Sequence, residues 1–210
     1  GNPWVKVCRA SSREREDRYD EAEQLAREAL AIRPHYRPAV QMLGQLLTVI
    51  GRDEESIEFL KSAASEMECF SLHAQLVGML VELKRYAEAR ESLDQVEKLA
   101  VLAEKPLPQW IAGNRGEIAY FLGEIDESIR WSRLSDSKFW KTIADRLENP
   151  EFAQRNSVTL PVGFVRQHHA TCAPATLSAL SRFWGMPADH LQVADEICYN
   201  GTSSYSERKW

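Results

Sequence analysis

Two residues five positions apart form the most reactive arrangement in this sequence. Gln167 precedes the run His168-His169-Ala170-Thr171-Cys172-Ala173-Pro174-Ala175. Threonine is a helix-capping residue type, and proline suits a first helical turn, where a missing N–H costs nothing. Leu177, Leu180 and Trp184 then recur on one helical face, and Gly185 supplies a stop. The spacing predicts a helix that opens at Cys172. The free N–H groups and macrodipole at a helix N-terminus favour thiolate over thiol. The side-chain amide of Gln167 is of the type that donates a hydrogen bond to a developing oxyanion. The chemistry this pair would support is attack on a peptide carbonyl through a thioester.

The flanking elements must position the pair. Ser157–Gln167 is rich in β-branched residues and broken by Pro161 and Gly163, which predicts one short extended or edge strand. A second helix is expected from Pro187 or Ala188 to about Cys198. The order Gln, short loop, then Cys opening a helix is shared with papain-like peptidases. With the Pro-Val-x-Phe-x-x-Gln lead-in (161–167) and the Cys-x-Pro-Ala continuation (172–175), the segment resembles the bacteriocin-leader-processing cysteine peptidases over about residues 158–200. The resemblance implies Cys172 as nucleophile and Gln167 as oxyanion donor. Ala173 stands where that family usually has Gly, a change that tightens the approach to the helix end.

The mechanism also needs a His as base and an Asp or Asn to orient it. In the family both lie several tens of residues after the Cys. Here only residues 173–210 follow, and none of His168, His169 and His190 matches. Asn200-Gly201-Thr202 and the ending at Trp210 read as a chain cut short. The expectation is a peptidase-like lobe that does not cleave peptides alone. An active peptidase in a longer protein, a non-catalytic peptide-binding adaptor, and amide-bond transfer on another substrate stay open beside it. The plainer reading of Cys172 is a small residue packed at a helix pair. Whether the chain is an enzyme is left undecided.

The remaining candidates are weaker. Cys8, Cys69 and Cys198 read as ordinary helix packing, and four cysteines without a Cys-x-x-Cys pair suggest a reducing compartment. His168, His169 and Cys172 do not make a zinc site, because adjacent histidines diverge and no fourth ligand is suitably spaced. No metal, cofactor or phosphate-binding glycine loop is expected.

Composition bounds the rest. The 210 residues carry 26 Lys+Arg against 31 Asp+Glu, a net charge of -5, with 44% hydrophobic residues. Such a chain is globular, and its mild acidity argues against a nucleic-acid partner. No apolar run approaches the roughly 18 residues of a membrane span. Residues 1–150 hold 21 Lys+Arg and 26 Asp+Glu, and residues 151–210 hold five of each. The change falls at Asn149-Pro150, so two domains are expected, 1–150 and 151–210. The localisation this suggests is the cytoplasm of a bacterial-type cell.

The first domain repeats itself. Tyr19-Asp20-Glu21-Ala22, Asp53-Glu54-Glu55-Ser56, Tyr86-Ala87-Glu88-Ala89 and Ile125-Asp126-Glu127-Ser128 open similar segments. Gly44, Gly78 and Gly116 lie midway through the preceding helices, where small residues let antiparallel helices touch. Gly51, Lys84-Arg85 and Gly123 supply the turns. Each hairpin has an apolar stripe that it cannot bury alone, and stacking buries it. The pattern resembles the tetratricopeptide repeat family over roughly 3–135, with units near 3–36, 37–70, 71–104 and 109–136. Ser137–Leu147 reads as a capping helix.

The fold class expected is therefore all-α, a tetratricopeptide helical-hairpin superhelix followed by a partial papain-like α lobe with one short extended segment. The resemblance implies a protein or peptide partner on the concave face lined by first helices, with Gln41, Gln45, Thr48, Gln75, Met79, Glu82, Glu117 and Tyr120 as groove residues. The Lys/Asn set that clamps a C-terminal carboxylate in chaperone-binding members is absent from these places. Incomplete ends would expose apolar surface and favour self-association.

Overall fold

The computed structural model describes residues 1–101, 104–153, 160–163, 165 and 171–197. Twelve helices run through these residues: α1 (Pro3–Arg15), α2 (Tyr19–Ile32), α3 (Arg37–Val49), α4 (Asp53–Glu66), α5 (Phe70–Glu82), α6 (Tyr86–Leu99), α7 (Leu107–Phe121), α8 (Ile125–Leu134), α9 (Lys138–Glu148), α10 (Pro150–Ala153), α11 (Cys172–Phe183) and α12 (His190–Ile197). No strand occurs among the described residues, and Leu160–Gly163 is neither helix nor strand. The chain divides into two compact units, residues 1–7 with 26–156 and residues 8–25 with 157–210.

In the first unit each helix packs on the next from α3 through α10, and α3 also meets α5. One turn geometry recurs. After α3, Gly51 adopts a left-handed φ of 84° and the Arg52 N–H reaches back to the Leu47 carbonyl at 2.8 Å. Lys84 (φ 60°) with Arg85 N–H to Leu80 O, and Gly123 (φ 81°) with Glu124 N–H to Ala119 O, repeat it after α5 and α7. This six-to-one bond closes the helix and reverses the chain within three residues. The hairpins are then filled by Val40, Ile57, Leu60, Leu72, Leu76, Leu80, Leu93 and Ile118, all at most 2% exposed.

Close approach explains the small residues. A Cβ on Gly44 would lie 2.7 Å from Leu60, and one on Gly116 would lie 2.9 Å from the Ser132 hydroxyl. Gly78 does not share this place: it is exposed, and a Cβ there would meet nothing within 4 Å. Val77, buried and set before Lys84 as Gly44 is before Gly51, occupies the equivalent position. Gly78 lies 34 residues after Gly44, whereas the turns at Gly51 and Lys84 are 33 apart, so the glycine falls one position past the contact. The expected capping helix is α9. It docks through Trp140, whose ring fills the space beside Gly113 of α7.

Exposed ion pairs join successive second helices. Arg27 meets Glu55, Glu54 meets Arg85, Lys61 meets Glu88, and Arg90 meets Glu124. Each is worth little by itself, but Arg27–Glu55 and Lys61–Glu88 fall at matching places in successive repeats.

The same turn links α1 to α2, with Asp17 at φ 57° and Arg18 N–H bonded to Arg13 O, both within residues 8–25 of the second unit. α11 packs on α12, and Gly185 (φ 77°) ends α11 with Met186 N–H bonded to Ser181 O. The side chains that bury α11 are Pro174, Ala175 and Ser178. Leu177, Leu180 and Trp184 instead stand 43%, 42% and 72% exposed. The expected apolar face exists as a stripe, but small residues make the helix contact.

Candidate protein-binding face and the Cys172 helix

The candidate groove residues fall into three groups. Gln41, Thr48, Gln75 and Met79 are brought together where α3 meets α5. The Gln75 amide donates to the Gln41 carbonyl at 3.1 Å, and the Thr48 hydroxyl lies 3.6 Å from the Met79 sulfur. Met79 is only 7% exposed and packs in the core, so it offers little to a guest. Gln45 and Glu82 are exposed on the same two helices. Glu117 and Tyr120 lie apart from these, on α7.

Those last two line a cavity of about 530 Å³, closed on the other side by Phe139, Trp140, Ile143 and Leu147 of α9. Its surface is mostly apolar, with four aromatic rings among the lining residues. Phe139 is 65% exposed and Phe121 51%, which is unusual for large apolar side chains grouped together. Phe121 is held in place by stacking on Tyr86, with ring centroids 4.6 Å apart, and Tyr120 meets it edge-on at 5.3 Å. The Glu117 carboxyl is half-buried, and burial pushes its pKa above the usual carboxylate range. It makes no hydrogen bond or ion pair among the described residues.

The sequence marks Ser137–Leu147 only as a capping helix, and the place of Phe139 and Trp140 in this cavity is a feature of the structure. Their i, i+1 pairing and Ile143/Leu147 at helical spacing were the available signal. A second, polar cleft lies between α6, α7 and α8, where Arg115 ion-pairs with Asp94 at 2.7 Å and stacks over Trp131 at 5.2 Å. Its cations already have acidic partners.

In the second unit Cys172 is the first residue of α11 and is exposed. Thr171 holds the N-cap position without a side-chain capping bond, and Pro174 sits in the first turn. Cys8 is also exposed, not packed, because α1 turns Val7 and Ala10 inward instead. Gln167, His168, His169 and Cys198 lie outside the described residues. No helix among the described residues is long and apolar enough to cross a membrane.

Comparison with known proteins bears on the repeats. The tetratricopeptide repeat family model matches residues 15–68, spanning α2 through α4. No curated protein matches the chain. Among solved structures, MamA from Desulfovibrio magneticus RS-1 is similar at 12% identity and TM-score 0.58, covering 69% of this chain and 82% of that one. A kinesin light chain protein with nearly identical TPR-like repeats, from Podosopora anserina, is similar at 15% identity and TM-score 0.53, covering 91% and 88%. Pseudomonas aeruginosa PilF is similar at 15% and TM-score 0.51, covering 69% and 66%. At such identities the likeness is one of fold. Residues 15–68 thus resemble the tetratricopeptide repeat, and the helical-hairpin stack shares its fold with these solved structures.

Proposed function

We propose that this chain is a non-enzymatic protein-binding scaffold. Its first helices, with Gln41, Gln45, Gln75, Glu82, Glu117 and Tyr120, form the surface that takes a protein or peptide partner. The observation that carries this reading is the aromatic cavity between α7 and α9, with Phe121 and Phe139 left more than half exposed. Grouped exposed apolar side chains in a concave site are the usual mark of a binding surface. The test takes a partner isolated by pull-down and measures its affinity for the Tyr120→Ala and Gln45→Ala chains. A drop of about tenfold is expected for Tyr120→Ala, the size of one lost interface anchor. Unchanged affinity for both would remove this face as the contact.

A second reading concerns residues 151–210 as the start of a papain-like cysteine peptidase, with Cys172 as nucleophile and Gln167 as oxyanion donor. It is favoured by the exposed position of Cys172 at the first residue of α11. Iodoacetamide labelling followed by mass spectrometry tests it. Cys172 should react faster than Cys198 at neutral pH, and equal, slow rates would sink it.

A further inference from the structure

We infer that the α7–α9 cavity takes a peptide segment carrying a lysine or arginine next to an apolar side chain. The inference rests on the protein-binding reading above and adds what the partner must present.

The argument starts from Glu117. Its carboxyl stands on the wall of a cavity whose other lining is chiefly Tyr120, Phe121, Phe139, Trp140 and Ile143. It is without an ion pair or hydrogen bond among the described residues, and burial alone raises its pKa. Arg146 also lines the cavity and has an interaction of its own. A purely apolar guest would fill the aromatic space but would finish the desolvation of an unpaired carboxylate, which is costly. An acidic guest would add repulsion to that cost. A cationic side chain gives Glu117 a charge-assisted hydrogen bond, and the surrounding ring faces attract the same cation. An adjacent apolar side chain covers the remaining ring surface. One guest chemistry therefore satisfies both the carboxylate and the rings.

The cavity volume of about 530 Å³ is within the ordinary range for specific binding sites. Phe121 and Tyr86 are stacked, and Trp140 is seated against Gly113, so the walls are held by packing before a guest arrives.

The experiment is selection of a random peptide library, displayed on phage, against the full chain and against its Glu117→Gln and Phe139→Ser variants. The wild-type chain should enrich peptides with a basic residue beside a leucine, phenylalanine or similar side chain. Chosen peptides should bind Glu117→Gln about tenfold more weakly, as expected for loss of a hydrogen bond to a charged group. Replacing their basic residue by norleucine should remove this difference. Phe139→Ser, a change at an exposed position that leaves the fold intact, should weaken all of them. Enriched peptides without a basic preference, or an unchanged preference with Glu117→Gln, overturn the inference and leave the protein-binding reading standing. If no peptide is enriched by any of the three chains, both fall together. Circular dichroism melts of the variants verify that each is folded.

Discussion

The hydroxyl of Ser56 donates a 2.6 Å hydrogen bond to the carbonyl oxygen of Gly44, the residue whose missing Cβ lets Leu60 lie against α3. The same pair recurs as Ser128 and Gly116 at 2.9 Å. In the third hairpin the equivalent positions are Val77 and Ala89, both fully buried, so that contact is filled by apolar atoms. Two solutions to the same helix crossing thus alternate along one chain.

Gly44 and Gly78 should consequently respond in opposite directions to alanine. Alanine gains about 0.5–1 kcal/mol over glycine inside a helix. At Gly78 there is room for the methyl, so Gly78→Ala should stabilise by roughly that amount. At Gly44 the methyl would overlap the buried Leu60, and overpacking costs about 1–3 kcal/mol. Gly44→Ala should therefore lower stability, by about 1 kcal/mol net of the helix gain. Urea unfolding of the two variants decides this, and a shift of the same sign in both would contradict the close approach at Gly44.

The turns make a second test. Lys84 holds a φ of 60° where Gly51 and Gly123 stand in the neighbouring hairpins. A left-handed backbone costs a non-glycine residue about 1–2 kcal/mol, offset in part by the greater unfolded freedom of glycine. Lys84→Gly should raise the melting temperature by a few degrees, and Gly51→Ala should lower it. A loss of stability in Lys84→Gly would mean that the Lys84 side chain contributes more than its backbone costs.

The second helices were legible in the sequence because their signals are local. α2, α4, α6 and α8 begin at Tyr19, Asp53, Tyr86 and Ile125, the residues that mark the repeat phase, and turn residues precede each one. The third-hairpin glycine was misplaced because Gly44 and Gly78 are 34 residues apart while the turns at Gly51 and Lys84 are 33 apart, a difference that changes which residue faces the partner helix without changing composition. The cavity was half legible. Glu117 and Tyr120 follow from first-helix periodicity, but Phe139 and Ile143 join them only through the docking of Trp140 on Gly113. That is a tertiary contact between helices with no shared pattern. Likewise, periodicity put Leu177, Leu180 and Trp184 on one face of α11 but carried no information on whether anything covers that face.

The acid limb of stability should respond to Glu88. Hydrogen bonding to Arg85, and next to Lys61, lowers its pKa from 4.5 to about 2. A carboxyl depressed in the folded state contributes stability above its unfolded value, and that contribution is lost as pH falls from about 4.5 to about 2. Arg85→Gln should move the Glu88 midpoint upward in a carbon-detected NMR titration. It should also flatten the fall in melting temperature over this range. The effect at neutral pH should be small, because the pair is exposed to solvent. A Glu88 midpoint near 4.5 in the unmodified chain would mean that the ion pairs with Arg85 and Lys61 do not persist in solution.

Glu117 should behave with the opposite sign. Burial raises its pKa in the folded chain, so the protonated form is the one the fold prefers. Its favourable contribution is complete below the unfolded value near 4.5 and is lost as pH rises through the higher folded value. At neutral pH the carboxylate is a net cost to the free protein, since burial of a charge lacks the compensation of a partner. Glu117→Gln keeps the shape and removes the charge, so it should be more stable than the unmodified chain at pH 7. The advantage should shrink steadily on acidification and vanish once Glu117 is protonated in both folded and unfolded states. Urea melts at a series of pH values give the comparison directly. A Glu117→Gln chain that is less stable at pH 7 would show that the carboxylate already has a stabilising partner in the free protein, and the cavity would then have no unmet charge for a basic side chain to satisfy.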